Sequence, residues 1–438
     1  MTTLPRGLRA FGTLLIVLSA ITPASSVFII APGVIAQAGT GAFWSYVAAA
    51  VVGVFMAFVY AELSSAYPLT GGEYTIIGRT LGRLPGFMAL VLVLVTQLLI
   101  LAVIALGVGT YLGALIPGLN GPVVAAVTVL LAMVLAVLDI KVNALVTGIF
   151  LAVEMLALAV VTWLGLANVT RPASAILVEP LAGGGLGLIA IATAVAIFSY
   201  NGYGSAVYFG EETHEPRRDI ARVILWALLI TVAAELIPIT AVLLSADSLQ
   251  GDVMLGFVTA RGGSTLATLV SLGIALAIVN AVLAIMLLCA RLIFSTARDA
   301  TWPAGVNRVL GTIHPRFGTP WPATLVAGVI SAAVCFVPLS FLLVVTGTSL
   351  VVLYAALCVA VIAGRRNGST ARGTYRMPLY PLAPVAGLLA LGYVVYASAL
   401  DPVIGRPSLF VTAGILAVAA ALFFLTVRRS WAVQDVSE

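Results

Sequence analysis

Two apolar segments of the chain are each interrupted by a run of small and polar residues. The first run is Thr22-Pro23-Ala24-Ser25-Ser26, and the second is Ser199-Tyr200-Asn201-Gly202-Tyr203-Gly204. Such residues release backbone N–H and C=O groups from a helix, because proline has no N–H and glycine weakens helices. Released backbone groups at membrane depth are tolerated only where they line a protein cavity. The two runs therefore predict a binding site for a solute between two broken helices.

Glu154 is a single carboxyl group in the apolar stretch Gly148–Leu158. Counted from Asn143 at about 1.5 Å per residue, it lies near the middle of an apolar layer about 30 Å thick. A charge facing lipid is costly there, so the side chain is predicted to face the bundle interior, where burial favours the protonated carboxyl. We predict that Glu154 takes up and releases a proton. A neutral Glu154 that only forms hydrogen bonds within the bundle is the alternative.

Other polar residues also fall within apolar segments. Gln97 and Asn280 lie near mid-depth, and each is predicted either to line the cavity or to form hydrogen bonds between helices. Glu235 precedes Pro238 by three residues, and we expect it to compensate for backbone groups that this proline frees. Glu62 lies near the end of a span and is predicted to be structural.

The composition indicates helices that cross a membrane. The chain has 438 residues, of which 62% are hydrophobic and 8% charged, and its mean hydropathy is +1.18. The apolar runs are about 20 residues or longer, which suits helices and not barrel strands. Two histidines in polar loops and three cysteines in apolar runs leave no ligand set for a metal, and we predict no cofactor.

Twelve spans are predicted. They are 11–38, 43–66, 84–115, 121–139, 143–166, 187–209, 222–245, 264–291, 322–340, 342–363, 380–399 and 408–427. With the N-terminus in the cytoplasm, eighteen of the 21 Lys and Arg residues lie on the cytoplasmic side, and only Arg171, Arg261 and Arg406 lie outside. This bias predicts cytoplasmic termini and basic loops that face lipid headgroups, with no role in binding nucleic acid.

The spans divide into two halves that each begin with an interrupted helix. Residues 1–166 hold spans one to five, and residues 187–363 hold spans six to ten. Because five is odd, the second half inserts in the opposite sense, which predicts an inverted repeat. Residues 380–427 add two helices, and 428–438 form a short cytoplasmic tail. The fold class is therefore all-α, with twelve transmembrane helices, a five-plus-five repeat and broken helices one and six.

Three motifs in chain order resemble the amino acid–polyamine–organocation (APC) transporters. The first is Ala61–Pro68 with Gly71-Gly72-Glu73-Tyr74, at the second and third spans. The second is Phe198–Tyr203, followed by Glu211-Glu212 and Pro216, at the sixth span. The third is Arg291–Pro303 with Thr319-Pro320, after the eighth span. The resemblance implies the five-plus-five fold, and amino acids or related amines as substrates.

An amino acid would use both ends of the broken helices. Half-helix N-termini attract its carboxylate and half-helix C-termini attract its ammonium group. We therefore expect the backbone of Ser25, Ser26 and Val27 to hold the carboxylate. The carbonyls of Thr22, Phe198 and Ser199 are expected to hold the ammonium. The resemblance implies an aromatic gate at Phe198, and the remaining predicted site residues are Ala24, Tyr200, Asn201, Gly202 and Tyr203.

Two departures from the family pattern concern the first break and its neighbour. Ala24-Ser25-Ser26 stands where the family carries a Gly-Ser-Gly type of break. Glu154 matches a position at which many members without sodium coupling carry a lysine that approaches this break, so the sign of the charge is reversed. The relatives that use sodium place hydroxyls on the eighth helix, and the sequence around Asn280 has no adjacent Ser/Thr pair. This pattern favours protons, with sodium as the alternative coupling ion.

The sequence thus predicts a permease of the inner membrane that imports amino acids with protons. A polyamine or amine permease and an amino acid exchanger are the alternatives within this class. An enzyme is disfavoured, because no catalytic motif lies near the end of a span. A channel is disfavoured because the chain has a twofold and not a fourfold pattern. The sequence makes no prediction of the oligomeric state or of the particular amino acid.

Overall fold

The computed structural model describes residues 4–116, 118–182, 185–427 and 431–433. Within these ranges the regular structure is helical, and the only β feature is an isolated parallel bridge between Leu8 and Thr213. A helix satisfies its backbone hydrogen bonds within itself, which is the requirement that lipid imposes on an apolar chain.

The first predicted interruption coincides with a break in the helix. Helix α1 (Ala10–Ile21) ends at Thr22, whose backbone is left-handed with φ 50° and ψ 72°. The chain then forms α2 (Pro23–Ser25), a π-helical segment (Ser26–Ile30) and α3 (Ala31–Ala38). Pro23 accounts for the break, because it disfavours helical backbone at the preceding residue and has no N–H to donate.

Helices α4 to α10 separate the first break from the second. They are α4 (Ala42–Ala66), α5 (Glu73–Leu81), α6 (Arg83–Leu115), α7 (Gly121–Ala136), α8 (Ile140–Ala167), α9 (Ser174–Leu177) and α10 (Glu179–Ala182). Asn120 and Asp139 fix the starts of α7 and α8, because their side chains accept hydrogen bonds from the backbone N–H groups of Val123 and Lys141.

The second interruption is also a break. Helix α11 (Leu186–Ser199) is followed by Tyr200 and by Gly202, which has a φ of 125°. The chain resumes as a 3₁₀ helix over Tyr203–Phe209. Because φ values in this range favour glycine, Gly202 provides the local reason for the break.

The remaining helices follow the predicted order, with some differences in their bounds. They are α12 (Pro216–Ser245), α13 (Val253–Arg298), α14 (Ala304–Leu310), α15 (Trp321–Val334), α16 (Leu339–Thr346), α17 (Ser349–Asn367), α18 (Leu382–Leu400) and α19 (Gly405–Leu422). Helix α13 is longer than the predicted span 264–291 and is kinked at Gly263. The predicted span 342–363 corresponds to two helices, α16 and α17. Helix α14 lies in the loop between the eighth and ninth predicted spans.

The described residues contain nine helical segments that are long and apolar enough to cross a membrane, the first of them Ala10–Ala66. Gly121–Ala136 and Trp321–Val334 are apolar but shorter. The protein is therefore an all-helical, multi-pass membrane protein. The number twelve and the inverted repeat stay predictions, as do the domain boundaries.

Helix α13 forms the centre of the bundle. Residues 280–297 of this helix are buried, and α13 packs against α1, α6, α7, α8 and α15. Helix α12 packs against α1, α4 and α8. These contacts bring residues from α8, α12 and α13 to the first break.

Part of the predicted cytoplasmic tail packs against the helices. Trp431 is fully buried, and its indole N–H donates to the hydroxyl of Thr301 at 3.2 Å. Its ring lies 5.3 Å from that of Phe87 and 6.5 Å from that of Tyr74. Residues 428–430 and 434–438 of the predicted tail lie outside the described ranges.

Replacement of Trp431 by alanine is expected to destabilise the protein by about 3–5 kcal/mol, because it removes a large buried aromatic side chain. Thermal unfolding of the purified protein in detergent measures the effect as a lower Tm. The matched control is Trp163→Ala, since Trp163 is 67% exposed. Equal and small changes in Tm for the two variants would contradict the observed packing of the tail.

Candidate solute-binding site

The two breaks meet each other inside the bundle. The hydroxyl of Ser26 donates to the backbone carbonyl of Ser199 at 3.0 Å. A Cβ atom on Gly202 would lie 2.7 Å from Cγ1 and 3.2 Å from Cα of Ile21, so a side chain there would not fit. The backbones of the two interrupted helices therefore cross in direct contact, next to Thr22.

A cavity of about 240 Å³ lies beside this crossing. Seven of the residues predicted for the site line it: Thr22, Ser25, Ser26, Gln97, Phe198, Asn201 and Gly202. The other predicted residues do not line it: Ala24, Val27, Glu154, Ser199, Tyr200, Tyr203 and Asn280. They are buried. The cavity thus contacts both breaks, and the second group of residues supports its walls.

Several backbone groups predicted to bind a solute have partners within the protein. The N–H of Ser26 donates to the carbonyl of Thr22 at 3.2 Å, and the N–H of Asn201 donates to the carbonyl of Phe198 at 3.2 Å. The carbonyl of Ser199 accepts the hydroxyl of Ser26. A solute would therefore share or replace these hydrogen bonds.

Glu154 contacts the first break directly. Its Oε1 atom accepts the backbone N–H of Ala24 at 2.8 Å and the hydroxyl of Thr22 at 3.1 Å. The side chain is fully buried, and Oε2 has no hydrogen-bond partner among the described residues. Ala24 lies in the first turn of the second half-helix, where the helix dipole favours an anion. The expectation that Glu154 faces the bundle interior agrees with these contacts.

Of the two residues left open, Gln97 lines the cavity and Asn280 does not. The side-chain amide of Asn280 donates to the hydroxyl of Ser19 at 2.9 Å and to the carbonyl of Thr147 at 3.1 Å. These bonds connect α13 to α1 and α8. Of its two predicted roles, Asn280 therefore has the second, because its amide forms hydrogen bonds between helices.

Glu73, Tyr60 and Tyr208 form a polar group in the wall of the cavity that the sequence analysis did not assign to the site. Tyr60 donates to Oε1 of Glu73 at 2.9 Å, and Tyr208 donates to Oε2 at 2.6 Å. Tyr354 is also in the wall and donates to the side chain of Asn201. Glu73 lies within a family motif, and this was the only signal available in the sequence.

The position of Glu235 differs from the expectation. It is fully buried in α12, and neither carboxyl oxygen has a hydrogen-bond partner in the described part of the chain. It does not compensate for the backbone at Pro238. It lies instead near Glu154, Ser26 and Ser199, beside the two breaks. The expectation drawn from Pro238 was wrong, because a proline indicates only a role within its own helix. Glu235 lies next to residues of other helices.

One end of the cavity is closed by buried ion pairs. Leu288 lines the cavity, and one turn further along α13 the guanidinium of Arg291 binds both carboxyl oxygens of Glu212 at 2.7 and 2.8 Å. Both side chains are buried. Arg298 pairs with Glu211, and Tyr74 donates to Asp299 at 2.8 Å. At the other end Ile29 is 51% exposed.

The charged groups near the cavity do not form a metal site. In the described ranges no group of three or more His, Cys, Asp or Glu residues could hold a metal ion. Glu62, predicted to be structural, pairs with Arg365 through two contacts of 2.6 Å. The absence of a cofactor stays a prediction.

Gly202→Ala is expected to destabilise the protein more than Gly263→Ala. Both glycines have positive φ, but only Gly202 contacts another backbone, while space around Gly263 is open. We expect a backbone cost of about 1–2 kcal/mol for both variants and a further 1–3 kcal/mol of steric strain for Gly202→Ala. Thermal unfolding of both variants measures this difference, and equal Tm values would argue against the crossing.

Comparisons with known proteins identify the family. A model of the amino acid permease family matches residues 8–427. The methylthioribose transporter of Bacillus subtilis is 23% identical over 408 residues, which cover 87% of this chain and 86% of the relative. The branched-chain amino acid permease BcaP of the same organism is 26% identical, over 88% of this chain and 87% of the relative. The mouse large neutral amino acids transporter small subunit 2 is 28% identical, over 69% and 59%. The chain belongs to the amino acid permease family of the APC superfamily and is a transporter, not an enzyme.

Proposed function

We propose that the protein imports neutral amino acids with aliphatic side chains, by alternating access and with protons as the coupling ion. The observation that carries this proposal is the cavity beside two crossing helix breaks. Its volume of about 240 Å³ is below the roughly 300–1,000 Å³ of pockets for drug-sized ligands and suits a smaller solute.

The polar end of the cavity suits the charged groups of an amino acid. Ser25 follows the break in the first helix, where the positive end of a half-helix attracts a carboxylate. The hydroxyls of Thr22 and Ser25 lie 2.9 Å apart and face the same region. The C-terminal end of α11, with Phe198 and Ser199, attracts an ammonium group. Phe198 lies in the cavity wall, as a gate over a bound solute would.

The remaining wall suits an aliphatic side chain. It is formed mainly by Ile21, Ile29, Ile30, Val93, Ile100, Ile104, Ile285, Leu288, Leu350 and Leu353. Glu73 is the one residue of a charged type among the described residues that line the cavity, and each of its two oxygens accepts a hydrogen bond from a tyrosine. A polyamine would need several free carboxyl groups, so this wall argues against that alternative. The names of the relatives, for branched-chain and large neutral amino acids, agree with it.

Alternating access requires one closed and one open end. The end with Arg291–Glu212 is the closed one, and Arg298 is also there. The positive-inside rule assigns this basic side to the cytoplasm of a cell membrane, with both termini inside. In this arrangement the protein is open to the outside, and the two five-helix repeats move relative to each other around the breaks. Net import distinguishes this proposal from an exchanger.

The contacts of Glu154 support protons over sodium. Glu154 binds the first break through one oxygen and has a second oxygen available for a proton. The amide of Asn280, on the eighth predicted span, donates hydrogen bonds towards α1 and α8. The Oδ1 atom of the same amide has no hydrogen-bond partner among the described residues, so Asn280 does not decide between the two ions.

The substrate class is tested by thermal-shift measurements with the purified protein. Valine, leucine and isoleucine are expected to raise Tm, because a ligand at about 100 times its Kd stabilises by about 2.7 kcal/mol. Lysine, glutamate and spermidine are expected to have no effect. Stabilisation by spermidine or by methylthioribose alone would identify a different substrate class. Glycine, which has the same charged groups, is the control for the aliphatic wall.

Glu154→Gln is expected to weaken the coupling to protons. In proteoliposomes with an acidic exterior, a gradient of one pH unit multiplies leucine accumulation by about ten for each coupled proton. The ratio of leucine accumulation to leucine counterflow should therefore fall about tenfold in this variant. Glu179→Gln, which removes an exposed carboxyl group, serves as the control and should accumulate leucine normally. An unchanged ratio in Glu154→Gln would reject the proposed role of Glu154 in coupling transport to protons.

A further inference from the structure

Glu235 is a buried carboxyl group that the proposed function does not yet use. It is fully buried in α12, and both of its oxygens lack hydrogen-bond partners in the described part of the chain. An ionised carboxylate without partners is very costly in an apolar interior, and even a neutral one loses its hydrogen bonds with water. The observed state is therefore unfavourable for an ionised Glu235, and another state must supply donors if the group is to lose a proton.

Potential donors surround Glu235 from several helices. The hydroxyls of Ser26, in the π-helical segment, and of Ser199, at the end of α11, lie close enough to bond to it but are directed to other partners, and Glu154 of α8 is also near. Tyr46 of α4 and Tyr200 in the second break are the neighbouring phenols. These described groups comprise four hydroxyls and one other carboxyl, with no cation among them.

The hydroxyls around Glu235 also connect the two broken helices. Ser26 donates to the carbonyl of Ser199, and the hydroxyls of Tyr46 and Ser199 lie 3.0 Å apart. The hydroxyl of Tyr200 is buried and has no partner among the described residues. The cluster therefore contains one hydroxyl without a partner, that of Tyr200, and two carboxyl oxygens without partners, those of Glu235. A change in the charge of Glu235 would rearrange this cluster, and with it the contact between the breaks.

We propose that Glu235 is a second proton-binding group of the transport cycle and controls the contact between the two breaks. Glu235 does not line the cavity, whereas the neighbouring Ser26 does; the O–H bond of Glu235 breaks, the electron pair stays on the carboxylate, and the proton passes through the Ser26 hydroxyl, which releases its own proton to a water molecule in the cavity. The ionised carboxylate then attracts the hydroxyls of Tyr200 and Ser26. When Ser26 turns to Glu235 it leaves the carbonyl of Ser199, so the two broken helices can separate. This inference rests on the proposed proton-coupled uptake and adds a second proton to it.

The test compares variants in proteoliposomes with L-leucine as the probe. For each variant, accumulation driven by a gradient of one pH unit is divided by counterflow without a gradient. In Glu235→Gln this ratio is expected to fall about tenfold, as one coupled proton is lost. In the double variant Glu154→Gln/Glu235→Gln, counterflow should occur without accumulation above equilibrium. Thr231→Val removes a buried hydroxyl of the same helix that has no partner, and it should keep the wild-type ratio.

A second variant tests the donor cluster without changing a carboxyl group. Tyr200→Phe removes a donor for the ionised form of Glu235, so protonation becomes easier and the midpoint of the pH profile of uptake should move to higher pH. This measurement decides the question if Glu235→Gln does not fold. The proposed second proton would be rejected if Tyr200→Phe had the wild-type midpoint of the pH profile of uptake. It would also be rejected if Glu235→Gln had the wild-type ratio of accumulation to counterflow. Absence of leucine counterflow in the wild-type protein would instead reject the proposed function, and this inference with it.

Discussion

The contact between the two helix breaks is the constraint on which the rest of the structure depends. Backbone groups in an apolar layer need partners within the protein, and a broken helix exposes several of them. Here each break lies against the other, with Gly202 against Ile21 and Ser26 hydrogen-bonded to Ser199. Glu154 satisfies one more N–H, at Ala24. The cavity exists beside this crossing because the interrupted helices cannot fill the space as continuous ones would.

Charges are distributed unequally along the axis of the cavity. At the closed end, Arg291 and Glu212 form a buried pair with two hydrogen bonds. Breaking such a pair leaves an uncompensated charge, which costs about 3–5 kcal/mol when one partner is removed. Near the breaks, Glu154 and Glu235 are buried without cationic partners among the described residues. The pair therefore favours a closed end, whereas the two carboxyl groups are the ones proposed to change their charge by binding protons.

The sequence predicted the features that arise from local chemistry. Pro23 and Gly202 mark the breaks because each restricts or permits particular backbone angles at its own position. The contact of Glu154 with the first break followed from the family resemblance. The sequence did not predict the roles of Glu73 and Glu235. Their partners lie on other helices, at distances along the chain that no periodic pattern records.

For polar residues in apolar segments, the sequence context does not determine which neighbour the side chain contacts. Gln97 and Asn280 have similar sequence contexts, yet only Gln97 lines the cavity. The difference arises from the rotation of each helix about its axis, which packing against neighbours determines. The bounds of α13 and the kink at Gly263 are likewise consequences of packing and turn geometry. The type of element was thus predictable, whereas the face that each residue presents was not.

The reversed charge at Glu154 gives the proposed coupling a physical basis. A lysine at this position would donate hydrogen bonds, so it could not accept the N–H of Ala24. Glu154 accepts it at the positive end of the half-helix, which is also the end proposed to attract the carboxylate of the substrate. Two negative charges at one helix end repel each other, so a substrate carboxylate at this end would bind better with Glu154 protonated. By linkage, a substrate bound in this way would raise the affinity of Glu154 for a proton by the same factor. Proton and amino acid would therefore bind together and be carried in the same direction.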